Sequence, residues 1–147
     1  MTSTIHVTGK NAIVVGGASG IGRASAIMLA KEGADVAILD IDASRSAEVT
    51  DLVLAEGRKA FRATVDVRHH AAMAEAIAAA AKELGSIDIL VNSAGIPEYN
   101  YFWEITEPMW DRMIDVNLKG VYNGMAAVMD HMRSRRCGRI INVSSVG

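Results

Sequence analysis

Four glycines lie within seven residues near the start of the chain, Gly16, Gly17, Gly20 and Gly22, in the stretch VVGGASGIG. An apolar run precedes them and a helical pattern follows, so they mark a turn from a strand into a helix. Glycine there permits a tight bend and lets backbone N–H groups come close to a ligand. The helix N-terminus adds orphan donors and a partial positive charge, which together suit a pyrophosphate. Gly16, Ser19, Gly20, Ile21 and Gly22 are therefore candidate phosphate-binding residues. The next apolar run stops on Asp40, 18 residues after Gly22. A carboxylate at that spacing accepts hydrogen bonds from the ribose of a dinucleotide and repels a 2′-phosphate. Neither Ser19 nor its counterpart Ile41, beside Asp40, is basic. The expected cofactor is NAD rather than NADP, with Asp40 and Ile41 at the ribose.

Positioning such residues takes a sheet. β-branched apolar runs occur at Ala12–Val15, Asp35–Asp40, Ala60–Val67, Ile87–Asn92 and Arg139–Val143. Most are continuous rather than alternating, as expected for parallel strands covered on both faces. Helical patterns separate them. The first is marked by Ile21, Ala24, Met28 and Lys31 and stops near Gly33. The second runs from about Ser44 to Glu56, stopping at Gly57. The third carries Met73, Ile77, Ala80 and Leu84 and stops at Gly85. The fourth starts on Thr106 as N-cap, with Pro108 in its first turn, and continues to about Arg133. Strand–helix alternation of this kind specifies right-handed βαβ units. The expected fold is α/β, a doubly wound parallel sheet, with residues 1–147 forming a single dinucleotide-binding domain.

Composition narrows the class of partner. The chain has 147 residues, half of them hydrophobic, with a formal net charge of -2. That balance gives no broad attraction to nucleic acid or to an anionic membrane. One cysteine, Cys137, cannot form an internal disulfide. No apolar run reaches the roughly 20 residues of a membrane helix, so a cytoplasmic location is expected. His6, His69, His70 and His131 are scattered without ligand spacing, so no metal is expected. The basic run Arg133–Arg136 closes a helix and complements its dipole. Aromatic residues in EYNYFWEI, Glu98–Ile105, follow the fourth strand at the carboxyl end of the sheet, as a pocket wall or stacked on the adjacent helix.

Four further motifs, in order, make the chain resemble the short-chain dehydrogenases/reductases. TVDV ends the third strand, VNSAG the fourth, DVNLKG lies in the fourth helix, and GRIINVSS forms the fifth strand. The resemblance implies a Rossmann-like strand order 3-2-1-4-5, with later strands missing from this chain. It places Asp66 and Val67 at the adenine ring and Asn92, Ala94 and Gly95 along the adenosine ribose. It makes Asn117 the active-site asparagine that organises a proton-relay water, and Ser145 the substrate-binding serine, although Ser144 is equally available by sequence. Read by themselves, Asp66 is also a plausible turn residue and Ser145 a turn serine after a strand. The chain departs from the family pattern at Val15, where threonine is usual, and at Ser93, where a second asparagine is usual.

The same resemblance implies hydride transfer between NAD and a secondary alcohol or ketone. It also implies a homo-oligomer, tetramer or dimer, through the fourth helix and the one after it, with Trp110, Met113 and Val121 on that face. The family's proton-transferring Tyr-x-x-x-Lys pair is not found in the chain. Tyr99, Tyr101 and Tyr122 are followed four places on by Trp103, Ile105 and Ala126. The expectation is the N-terminal part of a longer enzyme, the alternative a non-catalytic NAD-binding protein.

Overall fold

The computed structural model describes residues 7–145. The apolar runs form a five-stranded, all-parallel sheet in the order β3-β2-β1-β4-β5. Its strands are β1 (Asn11–Val15), β2 (Asp35–Asp40), β3 (Ala60–Thr64), β4 (Ile89–Asn92) and β5 (Arg139–Asn142). Between them come the helices α1 (Gly20–Lys31), α2 (Ala43–Ala55), α3 (His70–Leu84), α4 (Glu107–Ile114) and α5 (Gly120–Arg135). The central strand β1 is buried along its whole length and pairs on both sides, with Val14 opposite Ile38 and Val91.

Period-two side-chain alternation divides the strands between two cores. On one face Ile13, Val15, Ala37, Leu39 and Leu90 meet Met73, Ile77, Ala80 and Leu84 of α3 and Val128 and Met132 of α5. On the other face Ala12, Val14, Val36, Ile38, Ile89 and Val91 meet Ala26 and Ala30 of α1 and Val49 and Val53 of α2. Each fully buried Val, Leu or Ile removes enough apolar surface from water to contribute roughly 1.5–3 kcal/mol. The continuous apolar runs are thus explained by helices on both faces.

Helix ends follow local chemistry. The chain leaves α1 through Gly33 at φ +93, and α3 through Gly85 at φ +102. Asp42 caps α2, its carboxylate accepting the Arg45 N–H at 2.9 Å. Thr106 stands at the N-cap of α4, but its hydroxyl makes no capping bond.

One expected element is corrected. The fourth helix is not continuous from Thr106 to Arg133. A π turn at Asp115–Lys119 separates α4 from α5, with the Gly120 N–H reaching back to the Asp115 carbonyl. Two tertiary contacts account for the widened turn. The Asn117 side chain bonds the loop after β4, and Gly120 packs on Val67, where a Cβ would stand 2.7 Å from Val67 Cγ2. Three strands are also shorter than the apolar runs: β3 stops at Thr64, β4 begins at Ile89 and β5 stops at Asn142.

The basic end of α5 does more than complement a helix dipole. Arg135 Nη2 donates to Asp88 Oδ1 at 2.9 Å and Nη1 to the Ile87 carbonyl at 3.2 Å. Asp88 is buried and also accepts the Asn11 N–H at 3.1 Å. Burial pushes its carboxyl up, but the Asn11 N–H and the Arg135 guanidinium outweigh it and hold the group below its ordinary 3.8. A carboxyl whose folded pKa is depressed stabilises the fold fully above its unfolded value and loses that contribution as pH falls through the folded one. Asp88→Asn is expected to lower the unfolding midpoint at neutral pH by an amount worth about 1–3 kcal/mol. It should also flatten the loss of stability on acidification below about pH 5. Thermal unfolding of both proteins across that range checks this, and parallel acid limbs would contradict it.

Candidate functional site

The strand order reverses between β1 and β4, and connections there leave in opposite directions from the carboxyl ends of the strands. A crevice must open at such a point. It does, as a cleft of about 570 Å³.

Its floor is the β1–α1 turn. The Gly16 N–H donates to the Leu39 carbonyl at 2.8 Å, and the Ser93 N–H donates to the Val15 carbonyl at 2.8 Å, so the turn is laced to the strands on both sides. Gly16 has φ +75, and a Cβ on it would stand 2.5 Å from the Ala94 nitrogen. A Cβ on Gly22 would collide with the Gly16 carbonyl oxygen. These two glycines let loop, helix and β4 approach one another. Gly20, at φ +52, faces open space. Ser19 stands at the N-cap of α1 in extended conformation, and its side chain caps none of the helix N–H groups. The first turn of α1 therefore presents its amides at the cleft, where Ser19, Gly20 and Ile21 form the wall.

Asp40 stands at the tip of β2. Its Oδ2 accepts the Ala18 N–H at 2.9 Å and its Oδ1 the Asp42 N–H at 3.0 Å. The carboxylate thus ties the glycine turn to the start of α2 and is fixed in orientation. Ile41 beside it is exposed and also lines the cleft. Asp66 and Val67 line it from the turn after β3, and Ala94 and Gly95 from the turn after β4.

Four predicted residues are not among those that line the cleft: Asn92, Gly22, Asn117 and Ser145. The side chain of Asn92 is buried against Gly124 of α5, donating from Nδ2 to Asn142 Oδ1 at 2.9 Å. Gly22 is buried beneath the turn. Both shape the crevice without lining it. Asn117 lies at the edge, its Oδ1 accepting the Ile96 N–H at 2.8 Å and its Nδ2 donating to the Ile96 carbonyl at 3.0 Å. That reciprocal pair fixes the segment carrying Ala94 and Gly95 to the π turn. Ser144 and Ser145 are exposed just beyond β5. The aromatic loop does not stack on a helix. Tyr101 and Trp103 stack on each other, with centroids 4.8 Å apart and both rings exposed.

Sequence reading missed the cations of the cleft. Arg45, Arg68 and Arg112 all line it. Arg45 sits three residues after the capping Asp42 and pairs with it at 3.4 Å, so a basic group shares the cleft with Asp40 although positions 19 and 41 are not basic. Arg68 follows Asp66 by two residues and pairs with it at 2.6 Å. The signal was present in both cases, an arginine two or three residues past an acid that itself stands two residues beyond the end of a strand.

Among the described residues no group of three or more His, Cys, Asp or Glu is arranged to hold a metal ion. None of the described helices is long and apolar enough to cross a membrane.

A parallel sheet with a glycine turn, an uncapped helix N-terminus and a strand-tip carboxylate around one crevice defines the dinucleotide-binding class of α/β domains. Residues 10–147 match the model of the short chain dehydrogenase family, and the chain belongs to that family. It is 38% identical over 138 residues to a 3-oxoacyl-[acyl-carrier-protein] reductase of Staphylococcus epidermidis, covering 93% of this chain and 57% of that protein. It is 38% identical over 139 residues to the 2,3-dihydro-2,3-dihydroxybenzoate dehydrogenase of Bacillus subtilis, covering 95% of this chain and 53% of that one. Among solved structures, carveol dehydrogenase from Mycobacterium avium in complex with NAD superimposes with a TM-score of 0.90 at 35% identity, over 95% of this chain and 55% of that one. The chain thus spans a little over half the length of these relatives.

Proposed function

We propose that this chain binds NAD in the crevice at the carboxyl end of the sheet and serves an oxidoreductase that moves hydride between that cofactor and a secondary alcohol or ketone. The observation that carries the reading is Asp40, held by two backbone amides at the strand tip beside an uncapped helix N-terminus. That arrangement fits the group: free amides of α1 meet a diphosphate, and each Asp40 oxygen keeps a lone pair for a ribose hydroxyl. The NAD complex of a similar structure supports it.

Bound there, NAD supplies a hydride acceptor at its nicotinamide ring. The chain's own residues do the rest. Gly16, Ser19, Gly20 and Ile21 hold the diphosphate, with Gly22 beneath the turn. Asp40 and Ile41 hold the ribose, Asp66 and Val67 the adenine, and the Asn92–Gly95 segment the wall beside them. Ser145 donates a hydrogen bond to the carbonyl oxygen of the substrate and stabilises negative charge as it develops. Asn117 keeps the π turn docked on Ile96, and with it the place of a proton-relay water. Trp110, exposed on α4, and the half-buried Met113 and Val121 belong to the face assigned to a homo-oligomer. A cytoplasmic location belongs to the same reading.

A non-catalytic NAD-binding role is the second reading. It keeps the crevice and its cofactor and drops the hydride transfer. A Tyr-x-x-x-Lys pair in the complete reading frame, with turnover of a secondary alcohol by its product, separates the two.

Calorimetric titration with NAD and NADP tests the cofactor assignment. NAD is expected to bind at least about tenfold more tightly, a difference of about 1.4 kcal/mol. Tighter binding of NADP would overturn it.

A further inference from the structure

The turn after β3 holds its acid unusually firmly. A single residue, Arg68, grips the Asp66 carboxylate through four hydrogen bonds. Its backbone N–H donates to Oδ1 at 3.0 Å, its Nε to Oδ1 and Oδ2 at 3.0 Å each, and its Nη2 to Oδ2 at 2.6 Å. The acid's side chain is 18% exposed and the arginine's 41%, and both line the cleft. His69 stands behind the pair, its Nε2 3.8 Å from Oδ2.

A carboxylate bonded at both oxygens by a planar fork cannot rotate about its terminal torsion. The Arg68 side chain also holds the Asp66 carboxyl below the usual range, against the opposing effect of burial. Three N–H groups of Arg68 occupy most of the carboxylate's acceptor sites, so the group turns its one remaining lone-pair direction, and no proton, to the crevice. A fixed acceptor of this kind welcomes an exocyclic amine and repels a carbonyl oxygen at the same place. An unclamped carboxylate would be free to turn aside.

We propose that Arg68 is the positioning residue of the base subsite, locking Asp66 as an acceptor and so selecting a 6-aminopurine over a 6-oxopurine. This rests on reading the cleft as a dinucleotide site with Asp66 at the base. Arg68 acts through Asp66 and need not touch the cofactor.

The test titrates NAD and nicotinamide hypoxanthine dinucleotide, in which a carbonyl replaces the adenine amine, into the unsubstituted chain and into Arg68→Ala and Arg68→Lys. The unsubstituted chain should favour NAD by about tenfold or more, as expected when a fixed polar group meets the wrong partner. Arg68→Ala should bring that ratio down at least about threefold. Lysine keeps the charge without the fork, so it should recover affinity for NAD and leave the ratio depressed. A general loosening of the turn would weaken both dinucleotides alike and leave the ratio unmoved. If NAD binds and both variants keep the original ratio, the inference is overturned and the cofactor reading stands. If the unsubstituted chain binds neither dinucleotide, both fall.

Discussion

Alanine at Asp40 is expected to weaken NAD binding by about tenfold to a hundredfold while leaving NADP within about threefold of its starting affinity. The asymmetry follows from what the carboxylate does for each. Toward NAD it accepts charge-assisted hydrogen bonds from ribose hydroxyls, together worth roughly 1.5–3 kcal/mol. Toward NADP it faces a 2′-phosphate, so its removal relieves repulsion and offsets the lost contacts. The change also leaves the Ala18 and Asp42 N–H groups without their acceptor. Some loss of thermal stability should accompany it, on the order of 1 kcal/mol. Asp40→Asn retains an acceptor for one of those amides and separates the two effects. Titration calorimetry with both dinucleotides reads the outcome directly. An unchanged NAD to NADP ratio in Asp40→Ala would remove Asp40 from the ribose.

Gly16→Ala should do more damage. The residue is at φ +75, where an L side chain costs roughly 1–2 kcal/mol, and its new methyl would lie 2.5 Å from the Ala94 nitrogen and 2.6 Å from the Ala94 Cα. Both are backbone atoms of the segment that follows β4, so no side chain can swing clear. The β1–α1 turn and the end of β4 must part. A loss of about 2–4 kcal/mol is expected, lowering the unfolding midpoint by roughly 5–15 °C, together with dinucleotide binding. Gly20→Ala is the matched comparison. Gly20 also has positive φ, at +52, but nothing lies within 4 Å of a Cβ there, so only the conformational cost of about 1 kcal/mol remains. Equal losses in the two variants would show that close approach to β4 is not what Gly16 provides.

The order of strands and helices was readable because each element declares itself within a short window. Continuous β-branched runs announced strands covered on both faces, and Gly33, Gly57 and Gly85 marked helix ends by the positive φ they adopt. The phosphate turn was readable for the same reason: glycines between a strand and a helix satisfy a requirement that is local to the turn. Asp40 was recognisable from its position at the end of a run.

What the sequence alone could not decide concerns groups brought together from far apart. The break of the fourth helix at Asp115–Lys119 depends on Asn117 finding Ile96, 21 residues away, and on Gly120 meeting Val67. No propensity within DVNLKG foretells either. The resemblance put Asn92 along the ribose, but its side chain is buried against Gly124 of α5 and donates to Asn142, 50 residues away. Arg135 looked like a helix-dipole cation until the fold set it against Asp88, 47 residues away.

Local chemistry in the chain therefore determined the α/β alternation, the glycine turn and the acid at the tip of β2. These properties rest on backbone conformation and on apolar spacing over a few residues. The tertiary structure alone decided which side chains enter the crevice, which are spent in the core, and that Arg45 and Arg68 stand at its rim already paired. Such choices depend on the register of strands distant in sequence and on the direction of each side chain, and no short stretch of sequence encodes either.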